Sequence, residues 1–398
     1  MTSATGTLDE AYERLHLTGP EFDGWLSNHG PMAAEALVRH GHGDLVSSWL
    51  DGYMRRLEEF PLGTGPIGAD WQQALGDPRR VADWTAFFGH ELGEQPWREV
   101  LNVWWPRLLP GVVAAATHGV IRVGHAVRVL LADGDDGAGG SADARITELA
   151  HGLAYWAARW QTIPAGHAGA AAASAAGQAH AQTPAGPLAA AGQENRQTPA
   201  GPLAAGGREH AQTAAESLDA VPRIADQSGG ILDRLGQLGG VPGWPRTLAG
   251  FSIPAEPEQI RARLAGLADA ATCRYLYYGH GNGVMLVHSA TAPTAVLRTL
   301  PALNVALWAP SLAAAWAASS ALTAVYAPAE PAPRSELPAP PPAGQSPQET
   351  AGATFARAAA HGDEHVIKFA DTAIEVFART GNPDAIAAAL RATALIEA

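Results

Sequence analysis

ATHGVIRVGHAVRVLLA, residues 116–132, decides the fold class. Val120, Val123, Val127 and Leu130 recur at intervals of three and four, the spacing that lines one face of an α-helix. RITELAHGLAYWAARW (145–160) repeats the pattern through Ile146, Leu149, Leu153 and Trp156. Toward the N-terminus, MAAEALVRHG (32–41) follows Ser27 and Asn28, residue types that open helices, and Gly41 or Gly43 can close it. DLVSSWLDGYMRRLEEF (44–60), DWTAFFGHELG (83–93) and PWREVLNVWWPRLLP (96–110) read as further helices, as do the segments 258–279 and 281–303. No stretch alternates apolar and polar residues as a strand would over a useful length. The expected fold is all-α: one large multi-helix domain.

Two stretches interrupt the helical pattern. QTPAGPLAA occurs at 182–190 and again at 197–205, inside an Ala/Gly/Pro-rich segment too short to stack as a solenoid. We expect 163–215 to be a disordered repeat loop, with His167, His180 and His210 incidental to it. The Pro-rich 327–349 reads as a disordered linker. The chain thus divides into an N-terminal helical part (1–162), the repeat loop (163–215), a central helical part (216–326), the linker (327–349) and a C-terminal part (350–398). The last is expected to hold two helices, 350–379 and 383–397.

Composition narrows the function. A net charge of −13, with acidic residues scattered, disfavours nucleic acid or an anionic membrane and suits a neutral or aromatic small molecule. Cys273 is the single cysteine, so neither an internal disulfide nor a Cys-rich zinc site is available. The N-terminus, MTSATGTLDEAYERL, is polar and of mixed charge, unlike a signal peptide, and a cytoplasmic location is expected. The uncharged stretch 299–329 is interrupted by Pro301 and Pro310 and dominated by Ala and Ser; it reads as a buried core helix rather than a membrane span.

Among 26 basic residues only Lys368 is lysine. Arginine serves an ordinary ion pair equally well, but lysine alone can lose its proton and act as a nucleophile or be carboxylated. His365 stands three residues before it, on the same helical face. Of the fifteen histidines, three others stand out by their surroundings: His29 at a helix start, His118 with His125 seven residues on, and His288 after four apolar residues. No HExxH or two-histidine-one-carboxylate spacing occurs, and there is no GxGxxG after a strand, no P-loop and no GxSxG. Spacing alone therefore names neither a metal motif nor a nucleotide site.

Taken together, LSNHGPMAAEALVRHG (26–41), WWPRLLPGVVAAATHGVIRVGHAVR (104–128), ELAHGLAYWAARW (148–160), VMLVHSATAPTAVLRTLP (284–301) and DEHVIKFADTA (363–373) resemble the questin oxidase family, which includes fungal enzymes that open anthraquinone rings and many bacterial members. The resemblance implies an oxidoreductase of polyketide secondary metabolism. One picture of the family is a mononuclear non-haem iron, Fe2+ or Fe3+, with dioxygen as cosubstrate; the other is a metal-free, NADPH-dependent Baeyer–Villiger oxygen insertion. Carried over, the iron ligands would be His29, His118, His288 and His365, with a carboxylated Lys368 as the oxygen donor. Where fungal members carry a second histidine four residues after the first, this chain has Arg122 and then His125, a departure that bears on substrate handling. Trp105, Arg122, His125 and Tyr278 are the candidate substrate contacts, and a non-enzymatic helical scaffold is the remaining alternative. The oligomeric state and the exact substrate stay open.

Overall fold

A computed structural model describes residues 4–133, 141–164, 212–339 and 344–398. Most of the repeat segment, with His167, His180 and His210, lies outside the described residues, as do 340–343 of the expected linker. The helices of ten residues or more are α1 (Ala4–His16), α2 (Gly30–Arg39), α3 (Gly43–Tyr53), α4 (Val81–Glu94), α5 (Trp97–Leu108), α6 (His118–Ala132), α7 (Ser141–Ala158), α8 (Pro257–Tyr278), α9 (His288–Thr299), α10 (Trp308–Tyr326), α11 (Pro347–His361), α12 (Glu364–Thr380) and α13 (Pro383–Leu395). Among the described residues the strands are the two-residue pair Glu21–Phe22 and Leu26–Ser27, so the all-α expectation holds.

The fold is organised around α6. Thirteen of its fifteen residues are buried, so it is surrounded on every side rather than presenting one apolar face. It packs against α7 and α9, and α12 packs against α2 and α9. Close approach of α6 and α9 depends on Gly124: a Cβ there would stand 2.6 Å from the Ala295 Cβ. The four helices α2, α6, α9 and α12 thereby enclose a common interior, and any polar side chain they turn inward must find its partners there.

Three boundaries differ from the sequence reading. The C-terminal part forms three helices instead of two. Gly362, at φ +86°, ends α11 in the left-handed conformation, and Asp363 caps α12 by accepting from the backbone N–H groups of His365 and Val366 at 2.8 and 3.1 Å. The repeat loop was expected to run to 215, but Thr213 and Glu216 form a capping box that opens the short helix Ala214–Asp219. The described part of the Pro-rich linker is docked on the domain. Ala332 is buried and its N–H donates to the Tyr277 carbonyl at 2.7 Å, while Arg391 donates to the Glu336 backbone carbonyl and, at 3.2 Å, to its carboxylate. Those bonds satisfy backbone groups that a free linker would leave to water.

Val305–Tyr326 is the one helical stretch among the described residues long and apolar enough to cross a membrane, and half of its apolar run is buried inside the protein. Its Ser319 hydroxyl donates to the Ser289 carbonyl on α9 at 2.7 Å, consistent with a core helix.

Candidate metal centre

Each of the four inner helices delivers one histidine to the same point. His29 is the residue immediately before α2. Its backbone N–H donates to the Tyr53 hydroxyl at 2.6 Å, and Asn28 beside it is fixed by its own bonds to Gly30 and Gly19. His118 opens α6 after Ala115, Ala116 and Thr117, three non-glycine residues with φ of 44°, 55° and 73°. Left-handed backbone costs such residues about 1 kcal/mol or more each, so the surrounding packing must hold this turn in place. His288 opens α9, and His365 lies in the first turn of α12.

The four rings converge. His118 Nε2 lies 2.6 Å from His29 Nε2 and 2.9 Å from His288 Nε2, and all four residues offer ring nitrogens within 4.8 Å of one another. Lys368, one turn beyond His365, brings Nζ to 2.8 Å from His288 Nε2 and 3.5 Å from His118 Nε2. All five residues are buried, Lys368 completely.

Backbone carbonyls assign two of the tautomers. His118 Nδ1 bonds the Ala115 carbonyl and His288 Nδ1 bonds the Met285 carbonyl at 3.3 Å, so each places its proton on Nδ1 and leaves a lone pair on Nε2. Those two lone pairs face each other at 2.9 Å, where no hydrogen bond can join them. Burial, with Lys368 next, holds the pKa of His29, His118 and His288 well below the usual imidazole range, and His365 is lowered for the same two reasons. Desolvation also brings the Lys368 amine down to about 7, against smaller opposing effects of Glu364 and Asp363. The donor set is four neutral imidazoles and a readily deprotonated amine, and it could hold a metal ion. It fits one: nitrogens sharing an octahedral metal at bond lengths of about 2.1 Å stand about 3 Å apart, close to the spacings here.

The family model for questin oxidase-like proteins matches residues 62–373. The chain belongs to the questin oxidase-like family. It is accordingly an oxidoreductase of the oxygenase kind, from a family that acts on aromatic polyketides. None of the curated proteins matches the chain. The family match begins after His29, so the place of that residue in the centre rests on geometry.

In this questin oxidase-like protein a second polar layer lies further along the same four helices. Glu35 of α2 accepts from Arg128 Nε at 3.0 Å and pairs with His125 Nδ1 at 2.9 Å, both on α6. Asp371 and Glu375 of α12 receive Arg128 at 3.0 and 2.6 Å and Arg298 of α9 at 2.6 and 3.1 Å, and His40 reaches Asp371 at 3.0 Å. Arg298 Nη1 also donates to His125 Nε2 at 3.1 Å, which puts the His125 proton on Nδ1, facing Glu35. Sequence reasoning missed this layer, because its charges read singly as surface residues; the available signal was their spacing of six to ten residues after each histidine.

The four candidate substrate contacts are placed as follows. Both arms of Arg122 are committed to Glu148, at 2.6 and 2.8 Å, and His125 belongs to the charged layer. Trp105 is a core residue whose indole N–H donates to Ser311 Oγ at 2.8 Å and whose ring meets Trp156 edge-on. Tyr278 lies under Arg274 and lines an open surface cavity of about 750 Å³ with Cys273 and Tyr277, on a part of α8 that contributes no histidine to the centre. In the described structure, neither Trp105 nor Tyr278 makes a ring contact or hydrogen bond to the histidine cluster.

Proposed function

We propose that the histidine cluster holds one iron ion and that the protein uses dioxygen to oxidise or cleave a ring of a polycyclic aromatic or quinone-like polyketide. One arrangement carries this reading: the buried His118 and His288 turn their Nε2 atoms toward each other at 2.9 Å beside the Lys368 amine, with no carboxylate among these five nitrogen donors. A cation relieves that repulsion, and imidazole donors suit iron. Bound iron would supply one-electron chemistry toward dioxygen.

The chain's own residues would do the rest. His29, His118, His288 and His365 present neutral nitrogens, with the Ala115 and Met285 carbonyls holding two of the rings in the donor tautomer. Lys368, buried and with its amine brought down to about 7, is suited to take up carbon dioxide. Its nitrogen bonds to the carbon, one proton leaves to solvent, and the resulting carbamate adds an anionic oxygen to the donor set. The apolar walls of α6 and α9 keep bulk water from the centre. No nucleic acid or membrane partner is part of this reading.

The test is elemental analysis of purified protein together with oxygen uptake in the presence of hydroxylated anthraquinones. About one iron per chain and substrate-dependent oxygen consumption are expected. Trace metal only, with no activity regained on adding ferrous iron, would sink the proposal; stoichiometric zinc would keep the site and remove the oxygen chemistry.

A further inference from the structure

The four histidines are held in two different ways. His118 and His288 give Nδ1 to backbone carbonyls. In His29 and His365, Nδ1 is buried and without a hydrogen-bond partner, yet each faces a carboxylate. Glu364 Oε1 lies 3.9 Å from His29 Nδ1, and Asp363 Oδ1 lies 3.5 Å from His365 Nδ1.

The two carboxylates are not equivalent. Asp363 Oδ1 already accepts two backbone N–H groups as the cap of α12, so it has little left to offer a ring. Glu364 is buried, and its Oε2 receives Arg56 Nη2 at 2.6 Å. Arg56 in turn rests over the rings of Phe22 and Tyr53, at 4.8 and 4.3 Å, and Tyr53 accepts the His29 backbone N–H. Arg56, Tyr53 and Glu364 therefore form one assembly around His29, with Oε1 directed at the unsatisfied ring nitrogen. A shift of about 1 Å would bring that pair to ordinary hydrogen-bond length.

We infer that Glu364 is a positioning residue for the metal centre: anchored by Arg56, it accepts the Nδ1–H of His29, fixes that ring with Nε2 toward the metal, and strengthens it as a donor. The inference rests on the metal reading above and extends it to residues outside the donor set. Metal-bound histidines commonly hold their second nitrogen on a carboxylate, and loss of such a partner weakens metal binding about 10- to 100-fold. The arrangement also brings a carboxylate beside four neutral imidazoles.

The experiment loads the full-length protein with Co2+ and measures the dissociation constant by chelator competition and the visible ligand-field bands, neither of which depends on turnover. Glu364→Ala is expected to weaken Co2+ binding about 10- to 100-fold and to shift the bands. Glu364→Gln keeps the shape and an acceptor oxygen, and should fall between it and wild type. Asp363→Asn, which retains the helix cap, should change the affinity less than either. If Glu364→Ala does not fold, Arg56→Met answers instead: it keeps an apolar side chain over Phe22 and Tyr53, releases Glu364 and should weaken binding several-fold. Folded Glu364 variants with wild-type affinity and spectrum would overturn the inference and leave the metal centre standing. Wild-type protein that binds no Co2+ would overturn both.

Discussion

The same four helices carry two polar layers that behave in opposite ways. Toward one end, α2, α6, α9 and α12 supply His29, His118, His288, and His365 with Lys368; further along they supply Glu35, His125 with Arg128, Arg298, and Asp371 with Glu375. In the second layer the charges balance: three carboxylates meet Arg128, Arg298 and the half-exposed Arg39, and both nitrogens of His125 are bonded. That layer needs nothing from outside. The first layer gathers five nitrogen bases and no carboxylate, with two lone pairs in opposition and the Nδ1 atoms of His29 and His365 left without a hydrogen bond. Buried polar groups in a stable interior are satisfied, so a layer with unsatisfied donors is where an added cation could bind. A layer satisfied by itself marks what holds the helices in register.

The largest expected effect comes from Lys368. Lys368→Arg preserves positive charge but cannot form a stable carbamate, and it puts a bulkier permanent cation among four neutral imidazoles. Activity should fall by about a thousandfold or more and bound iron should be lost, with helical circular dichroism retained; an iron-replete, active Lys368→Arg protein would remove the distinction between the layers. The second layer should respond in stability instead. Asp371→Ala leaves Arg128 and Arg298 short of a buried partner and should destabilise the fold by about 3–5 kcal/mol in urea unfolding, whether or not metal is present.

Metal removal gives the converse contrast. A chelator should lower the thermal midpoint of wild-type protein by several degrees, because an ion bound only by the folded state stabilises it, and should leave His118→Ala unmoved. Equal sensitivity in the two proteins would mean that the ion sits elsewhere.

Acid should act outside the histidine centre. Burial alone would raise the carboxyls of Glu35 and Glu148, but Arg128 and His125 hold Glu35 at about 2, and Arg122 with His16 holds Glu148 at about 2, against an ordinary 4.5. Folded-state values below the unfolded ones mean that this stability is fully present above pH about 4.5 and is lost as the pH falls toward 2. The free energy of unfolding should therefore drop steeply between pH 4.5 and 2, and less steeply in Glu148→Gln. The smallest effect is expected at Trp105: Trp105→Phe removes the bond to Ser311 and some packing, costing about 1–2 kcal/mol, with metal affinity unchanged. A substantial loss of metal affinity would tie Trp105 to the metal centre as well.

Much of this was legible along the chain. Apolar spacing in 116–132 and 145–160 gave the helices, and the single lysine beside His365 pointed to the segment that enters the buried cluster. The end of α11 at Gly362 was missed, because a left-handed cap and an Asp363 cap within two residues read as one continuous helical pattern. The described part of the Pro-rich segment was read as free because its anchors, Tyr277 and Arg391, lie far away in sequence.

The sequence by itself determined the helical class, the family and the donor types, since periodicity and residue chemistry are local properties. Only the tertiary structure decided which polar residues meet. Residues 29, 118, 288 and 365 share no spacing rule, and their convergence depends on how four helices pack, including a glycine at 124 that lets α6 approach α9. The same packing separated His125, bonded on both nitrogens, from His118 seven residues earlier on the same helix. Whether a histidine is a donor awaiting a metal or a satisfied structural group depends on what lies within 3 Å of its nitrogens, and chain order does not encode that distance.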